Sequence, residues 1–359
     1  MSLSNPVRSD APNVGIFKTL QDSLARIVAP ANLGIIAVLV ISYFFTGKLG
    51  IQLSARGPGT TVVWLPAGIS LAAILLRGNP VWPGVFMGAF LVNVAAGAHT
   101  SSSLGIALGS TLGALWAAYL VNKFAHGTKA FFKAGDVLRF IFLAGLLATA
   151  FCATFGTGVL CLTRMTKWTD FGLIWSIWWT GDLLGTLLLT PFLVLLFGHQ
   201  HQALGARELA EFTLLLAGLS IICVLNFGPP VVAWIPRSGL HYLCAPFLAW
   251  AAVRFCPLEA SGATLVLSAF AMWGSLHGFG LFATTTGSPY LGAGYVAVES
   301  ATILTIAAVF AEQRKRLEEA LGAYYTLKGK YERGFRAPND PNQTNPIQMT
   351  EAGLLATGR

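Results

Sequence analysis

The chain has 359 residues, of which 55% are hydrophobic and 11% are charged, and its mean hydropathy is +0.65. Soluble domains carry about 25% charged residues, so this composition excludes an ordinary soluble protein and predicts a polytopic membrane protein with one membrane domain. The formal net charge of +8 does not indicate nucleic-acid binding, because the basic residues are spread between apolar segments and are not gathered with stacking aromatic residues.

The N-terminal segment, residues 1–31, is polar and contains proline. It has no short apolar core followed by a small-residue cleavage site. We therefore expect a cytoplasmic segment, with the first membrane helix acting as the targeting signal.

Apolar windows of about 20 residues predict an all-α transmembrane bundle of about ten helices, within a range of eight to ten. The second and third helices are joined by only Arg77–Pro80, which predicts a tight helical hairpin. The ten windows are residues 32–53, 60–76, 81–98, 103–124, 137–160, 171–197, 209–227, 240–256, 262–281 and 294–311.

The distribution of basic residues tests this helix count. With a cytoplasmic N-terminus, 18 of the 23 Lys and Arg residues fall in cytoplasmic segments. Because Lys and Arg are enriched in cytoplasmic loops, this distribution predicts ten crossings with both termini in the cytoplasm. One helix more or fewer would remove the asymmetry.

Small residues recur at four-residue spacing in several predicted helices. Such rows let helix backbones approach closely, so we expect a compact bundle; the rows themselves indicate no chemistry. They are Gly84/Gly88, Gly105/Gly109/Gly113 followed by Ala117, Gly181/Gly185 and Gly274/Gly278.

The stretch Trp178–Pro191 places the carboxylate of Asp182 in the middle of an apolar run long enough to cross a bilayer. A charged side chain at that depth is costly and is expected to have a partner or a function. In the predicted topology Asp182 lies in the outer half of its helix, together with five polar side chains from other helices. These side chains are Asn93, Asn226, His241, His277 and Glu299.

This distribution predicts a polar cavity open to the extracytoplasmic side. Asp182 and Glu299, if ionised, need a histidine, water, or one of the cations Lys48, Arg56 and Arg237 as partner. The alternative, which the sequence leaves open, is that the polar side chains only hold helices together by hydrogen bonds.

Four tryptophans precede or accompany Asp182. Trp178 and Trp179 are candidates for lining the cavity, and Trp168 and Trp175 allow the same interpretation. Tryptophan is enriched near membrane interfaces, which is the position we expect for Trp168.

Catalytic and metal-binding signals are weak. Cys161 with Arg164 lacks a base at a supporting spacing, and the pair His199 and His201 lacks further ligands. The five cysteines form no C-x-x-C pair and are expected to be free, buried thiols. We therefore expect no catalytic residue, no metal site and no cofactor.

The membrane domain is expected to cover residues 32–311, and residues 312–333 to form a juxtamembrane signalling helix. Gly322 and Gly329 are expected to interrupt this helix, which weakens the prediction of a coiled coil; a basic helix lying on anionic lipid is the alternative. Residues 334–359 are rich in Pro, Asn, Gln and Thr and are predicted to be disordered. The residues that repeat every seven positions are Phe310, Leu317, Tyr324 and Tyr331.

Several ordered segments of the hydrophobic part have a familiar pattern. They are Trp64–Gly68, Trp82–Asn93, Trp178–Pro191, Ala245–Phe255 and His277–Phe282. Together they resemble the bacterial membrane-associated sensor domain called MASE-one, and the resemblance covers roughly residues 33–311.

The resemblance implies a multi-pass input module of the bacterial inner membrane, attached to sensor histidine kinases or to cyclic-di-GMP synthases and hydrolases. It therefore implies two-component or cyclic-di-GMP signalling, and it offers no catalytic residues. The stretch after Ala311 is too short for a kinase, a cyclase or a PAS domain. We expect either a free-standing member with a cytoplasmic signalling partner or a member whose output domain is missing.

Two functions remain as hypotheses. The first is a non-enzymatic sensory module in the lipid bilayer, which binds a small-molecule ligand and passes the change to residues 312–333, with a homodimer as the simplest readout. The second is a proton- or cation-coupled transporter of small molecules that uses Asp182 and Glu299. A membrane enzyme is a third and weaker interpretation.

Overall fold

The computed structural model describes residues 25–54, 63–198, 204–229, 239–279 and 290–336. Within these residues the regular structure is helical and contains no strand, which confirms the predicted fold class. The main helices there are α1 (Pro30–Ser54), α2 (Leu65–Arg77), α3 (Trp82–Ala95), α4 (Thr100–Phe124), α5 (Ala134–Leu162), α6 (Phe171–Gly198), α7 (Ala206–Phe227), α8 (Cys244–Arg254), α9 (Pro257–Leu276) and α10 (Tyr290–Arg336).

Each predicted window overlaps one of these helices, but the helices differ in length. Six of those in the described part are long and apolar enough to cross a membrane, namely α1, α4, α5, α6, α7 and α10. By contrast α2, α3 and α8 have 13, 14 and 11 residues. At 1.5 Å per residue they are about 17 to 21 Å long, whereas the hydrocarbon core is about 30 Å thick. Ten crossings and the cytoplasmic position of both termini therefore remain predictions.

The connection between α2 and α3 is as short as predicted, since Gly78 ends α2 with a positive φ of 80° and Asn79–Val81 form one 3-10 turn. The two helices nevertheless do not pack along each other, so the predicted tight helical hairpin is wrong. Helix α2 packs mainly on α6, and α3 packs on α1 and α4. The short connection constrains the helix ends but leaves the helix directions free.

Two hydrophobic cores meet at α6. Leu183 and Leu187 belong to the core built by α1–α5, while Leu184 and Leu188 belong to the core built by α7–α9. Consecutive residues of a helix point about 100° apart, so the leucine pairs face different neighbours. Helix α10 shares this position, with Leu304 and Ala308 in the first core and Ile303 and Ala307 in the second.

The contact between α2 and α6 brings backbone against backbone. The amide of Trp64 donates a hydrogen bond of 3.0 Å to the carbonyl of Gly181. A Cβ atom at Gly185 would overlap the carbonyl oxygen of Trp64, and one at Gly68 would overlap the carbonyl oxygen of Gly185. Gly68 and Gly185 are thus required for this close approach of the two helices, which confirms the packing role predicted for Gly185.

The other rows also contact neighbouring helices, with one exception. Gly274 packs against the backbone of Phe227, but Gly278 lies beyond the end of α9, has a φ of 72° and contacts nothing that would exclude a Cβ atom. Of the predicted Gly274/Gly278 row, only Gly274 packs against another helix. The remaining contacts are Gly84 with Leu39, Gly88 with Tyr43, Gly105 with Val159, Gly109 with Phe155 and Gly113 with Cys152.

The described residues fall into two compact units that divide between Glu312 and Gln313. In the second unit, α10 continues without interruption through Gly322 and Gly329 to Arg336, so the predicted break at these glycines is wrong. Each glycine costs only about 1 kcal/mol in a helix, and the segment is otherwise rich in strong helix formers. The heptad side chains Leu317, Tyr324 and Tyr331 are exposed in the single chain.

Candidate functional site

A cavity of about 350 Å³ lies at one end of the bundle, where α1, α3 and α5 end and α4 begins. The topology predicted from the basic residues makes this the extracytoplasmic end. Helix α6 closes the cavity with its third and fourth turns. Its wall consists of Tyr43, Ile51, Trp64, Asn93, Ala96, Ile106, Ser110, Cys152, Gly156, Ile177, Trp178, Gly181 and Asp182.

Asp182 lies between this cavity and a second, smaller one of about 40 Å³. A void of that size has room for one to a few waters, since a buried water needs roughly 10–15 Å³ of this volume. No ion pair or hydrogen bond to the Asp182 carboxylate is found among the described residues. Of the predicted cationic partners, Lys48 lies over the Phe44 ring at 5.9 Å, and Arg56 and Arg237 are outside the described residues.

Tyr43 is the central aromatic residue of the cavity wall. Its hydroxyl group lies near the side chains of Trp64 and Ser110 and interacts with both. Tyr43 packs against Gly88, where an added Cβ atom would come within 2.6 Å of the Tyr43 Cβ atom and 2.8 Å of its ring. Asp182 lies near enough to act on the Tyr43 hydroxyl electrostatically.

Glycines on neighbouring helices place two further wall residues. A Cβ atom at Gly113 of α4 would overlap the Cys152 sulfur, and one at Gly156 of α5 would overlap the Trp178 ring. Gly113, which the sequence indicated only as a packing residue, therefore also makes room for the cavity wall, and Gly156 does so without having been indicated. Trp178 lines the cavity, as the sequence interpretation allowed.

Asn93 completes the polar part of the wall. Its amide nitrogen donates a hydrogen bond of 2.8 Å to the carbonyl of Ala89, one turn earlier in α3. This bond uses a donor of the side chain and leaves the Oδ1 atom as an acceptor. Asn93, Trp178 and Asp182 are thus three predicted site residues that the fold brings to one cavity.

The other tryptophans have separate contacts. Trp179 stacks on Trp175 at 5.3 Å, and its indole nitrogen donates to the carbonyl of Leu146 at 3.1 Å. Leu146 belongs to a π-helical segment of α5, Ile141–Ala148, and its carbonyl also accepts hydrogen bonds from Thr149. Trp168 is exposed and stacks on Phe171, in keeping with an interfacial position.

Three more predicted site residues, Asn226, His241 and Glu299, lie together in a second place. With their neighbours they form what we call the Cys244 cluster: Cys223, Asn226, His241, Cys244, Tyr295 and Glu299. Tyr295 donates a hydrogen bond of 2.9 Å to the carbonyl of His241. Glu299 interacts electrostatically with Cys244 and Tyr295.

His241 lies outside the six candidate spans, in the 3-10 turn Leu240–Leu243. Burial lowers its pKa below the usual histidine value, and its Nδ1 atom has no hydrogen-bond partner among the described residues. A lowered pKa favours the neutral ring.

His277 belongs to neither group. It is exposed, its Nδ1 atom lies 2.8 Å from the carbonyl of Trp273, and its ring stacks on Phe279. The expected single polar cavity is therefore divided among the described residues into the Asp182 cavity, the Cys244 cluster and an isolated histidine.

The structure adds no support for a catalytic role of Cys161 or for a metal site. Cys161 is buried, and its sulfur lies 3.8 Å from the carbonyl of Lys167. No group of three or more His, Cys, Asp or Glu side chains suited to a metal occurs in the described part of the chain, and His199 and His201 lie outside it.

Three of the five segments that suggested a family in the sequence meet at this cavity. Trp64–Gly68 docks on Gly181–Gly185 through their backbones, and Trp82–Asn93 supplies both the glycine beneath Tyr43 and the Asn93 amide. The MASE1 family model matches residues 33–314. This chain belongs to the MASE1 family. MASE1 is a family of membrane-associated sensor domains, and with six candidate spans in its described part the chain is a multi-pass membrane protein. No curated protein and no solved structure matches the chain.

Proposed function

We propose that this MASE1 protein is a sensory input module of the bacterial inner membrane, and that its small-molecule ligand occupies the cavity beside Asp182. The observation that carries the proposal is a carboxylate with no protein partner among the described residues, on the wall of a cavity of about 350 Å³. Burying an unpaired carboxylate within the membrane costs free energy, and a bound ligand that pairs with it would offset this cost. The ligand enters from the extracytoplasmic side.

The packing around α6 supports a route for the signal. Asp182 is followed directly by Leu183 in the first core and Leu184 in the second. A ligand that binds one arrangement of α6 better than another shifts the population toward that arrangement. Such a shift changes the surface that both cores present to α10.

The output of this route is α10 beyond Glu312. The exposed heptad side chains Leu317, Tyr324 and Tyr331 offer a surface for a cytoplasmic signalling partner or for a second copy of the chain. A two-component or cyclic-di-GMP output fits such a partner, and the module itself performs no catalysis.

The transporter hypothesis receives less support. It requires Asp182 and Glu299 to act on one substrate pathway. Asp182 lies near Tyr43 and Cys152, whereas Glu299 lies near Cys244 and Tyr295. The two acids thus have separate neighbours in the described part of the chain.

Cys152, which lines the cavity, allows a test without knowledge of the ligand. The whole chain in lipid nanodiscs is reacted with benzyl methanethiosulfonate, which attaches a benzylthio group to an accessible thiol and so occupies the cavity. Amide hydrogen exchange is then followed in Gln313–Tyr331. We expect the exchange there to change by about threefold or more, since a shift of only about 0.7 kcal/mol between two states has this effect.

The matched control is Cys152→Ser under the same treatment, because it keeps the exposed Cys256 and the other thiols. The proposal predicts no change of exchange in this variant. Modification of Cys152 that leaves Gln313–Tyr331 unchanged would refute coupling between the cavity and α10.

A further inference from the structure

We infer that the cavity selects a small organic cation, an amine or quaternary ammonium group carried on a short apolar body. This inference rests on the proposed function and adds the chemical class of the ligand. It is drawn from the charge, the hydrogen-bonding groups, the aromatic rings and the volume of the cavity.

The charge of the described part of the wall disfavours an anion. Asp182 is the one charged side chain among the described residues of the wall. An anion beside it would be repelled in a poorly solvated site, and a purely apolar ligand such as an acyl chain would leave the carboxylate unpaired. A cation satisfies the carboxylate directly.

The hydrogen-bonding groups of the wall point the same way. The Trp64 indole and the Ser110 hydroxyl already interact with the Tyr43 hydroxyl, and an amide N–H of Asn93 is donated to Ala89. The groups left for a ligand include two acceptors, the Asp182 carboxylate and the Asn93 Oδ1 atom. A ligand that donates N–H groups matches these acceptors.

Three aromatic side chains, Tyr43, Trp64 and Trp178, share the wall with Asp182. Aromatic faces attract cations, and cages of such rings around a carboxylate suit ammonium groups, including quaternary ones that cannot donate a hydrogen bond. The isoleucines Ile51, Ile106 and Ile177 provide an apolar surface for the body of the ligand.

The volume sets the size of the ligand. A cavity of about 150 Å³ accommodates benzene, which has six heavy atoms. The cavity here, about 350 Å³, therefore has room for a molecule of about a dozen heavy atoms. This size corresponds to an arylalkyl amine and is too small for a phospholipid.

Cys152 again provides the test, with Cys161, Cys223, Cys244 and Cys256 replaced by alanine. The full chain in nanodiscs is reacted with trimethylammonium-ethyl methanethiosulfonate and, separately, with its sulfonate-ethyl counterpart. Relative to a free thiol in solution, we expect the cationic reagent to be favoured by roughly 10-fold or more, because opposite charges a few Å apart attract strongly in a partly desolvated site. Asp182→Asn should abolish this preference.

Asp182→Glu keeps the charge and guards against a variant that fails to fold, so it should retain the cationic preference. The same cysteine background also allows a competition experiment with the isosteric probes phenethylamine, 2-phenylethanol and phenylacetate. Phenethylamine should protect Cys152 at concentrations roughly 10-fold lower than the other two, as expected for a charge-paired ligand.

The possible failures are distinguishable. Equal rates for the two reagents, an unchanged preference in Asp182→Asn, or better protection by the alcohol or the acid would overturn the cationic class while leaving a ligand cavity in place. If neither reagent reaches Cys152 in the folded chain but both react after denaturation, the cavity is closed to ligands and the proposed function fails as well.

Discussion

Gly185→Ala tests the backbone contact that holds α2 on α6. The new Cβ atom would lie 2.7 Å from the carbonyl carbon of Trp64 and would overlap its oxygen. Overpacking costs 1–3 kcal/mol, and because backbone cannot rotate away like a side chain, we take the upper value of about 3 kcal/mol. Loss of the Trp64–Gly181 hydrogen bond adds about 1 kcal/mol. The higher helix propensity of alanine stabilises the helix by about 1 kcal/mol, so the net loss in the free energy of unfolding is about 3 kcal/mol.

The assay is equilibrium unfolding in mixed micelles as the fraction of dodecyl sulfate rises, followed by tryptophan fluorescence. A loss of about 3 kcal/mol corresponds to roughly a 100-fold change of the folding equilibrium constant. Gly172→Ala is the matched control, since Gly172 lies on the same helix and has no atom within 4 Å of an added Cβ. It should be neutral or stabilising by up to about 1 kcal/mol. Equal stability of the two variants would refute the argument that Gly185 is required for backbone approach.

Two further predictions concern charged groups. The Asp136 side chain is 4% exposed, accepts a hydrogen bond from Arg139 at 2.9 Å and lies 2.8 Å from His126. Asp136→Asn should therefore lower the free energy of unfolding by about 3 kcal/mol. Glu211→Gln weakens the more exposed pair with Arg254 and should lower it by at most about 1 kcal/mol. The same unfolding assay measures both losses of stability. A larger loss for Glu211→Gln than for Asp136→Asn would contradict this prediction. For topology, a fluorescent protein that matures only in the cytoplasm should fluoresce when fused to either terminus in bacterial cells; a dark fusion at one terminus would contradict the topology inferred from the basic residues.

The sequence indicates the position of a residue along its helix better than it indicates which helices are neighbours. Hydrophobic windows and basic loops indicate which end of a helix a residue occupies, and Asn93, Asp182 and Trp178 share one cavity as this reasoning expects. The same reasoning joined Glu299 and His277 to them, although neither lines that cavity. Which helices are neighbours depends on three-dimensional packing, and the short connection after α2 shows how little a loop length determines it.

The sequence analysis also missed four residues of the cavity wall as site residues. Tyr43, Ser110 and Cys152 lie in apolar runs and resemble ordinary helix-packing residues, and Trp64 was noted only as part of a family segment. A usable signal was present in the glycine rows, since Gly88 and Gly113 accommodate Tyr43 and Cys152. It could be used only with the helix pairing known, because a glycine identifies a close contact but not the partner in that contact.

Helix α6 combines two features that each cost stability. Gly181 and Gly185 weaken an isolated helix by about 1 kcal/mol each, and Asp182 brings an acid into an apolar run. Gly185 makes room for α2, and the amide of Trp64 binds the carbonyl of Gly181, directly before Asp182. Trp64, a residue of the cavity wall, is thereby hydrogen-bonded to the helical turn that carries the Asp182 carboxylate. Because Trp64 lines the cavity and its amide binds the turn that carries Asp182, a displacement of α2 also displaces the cavity wall, so ligand binding and the packing of α2 are coupled. Gly185→Ala should therefore also weaken protection of Cys152 by phenethylamine, whereas Gly172→Ala should leave it unchanged.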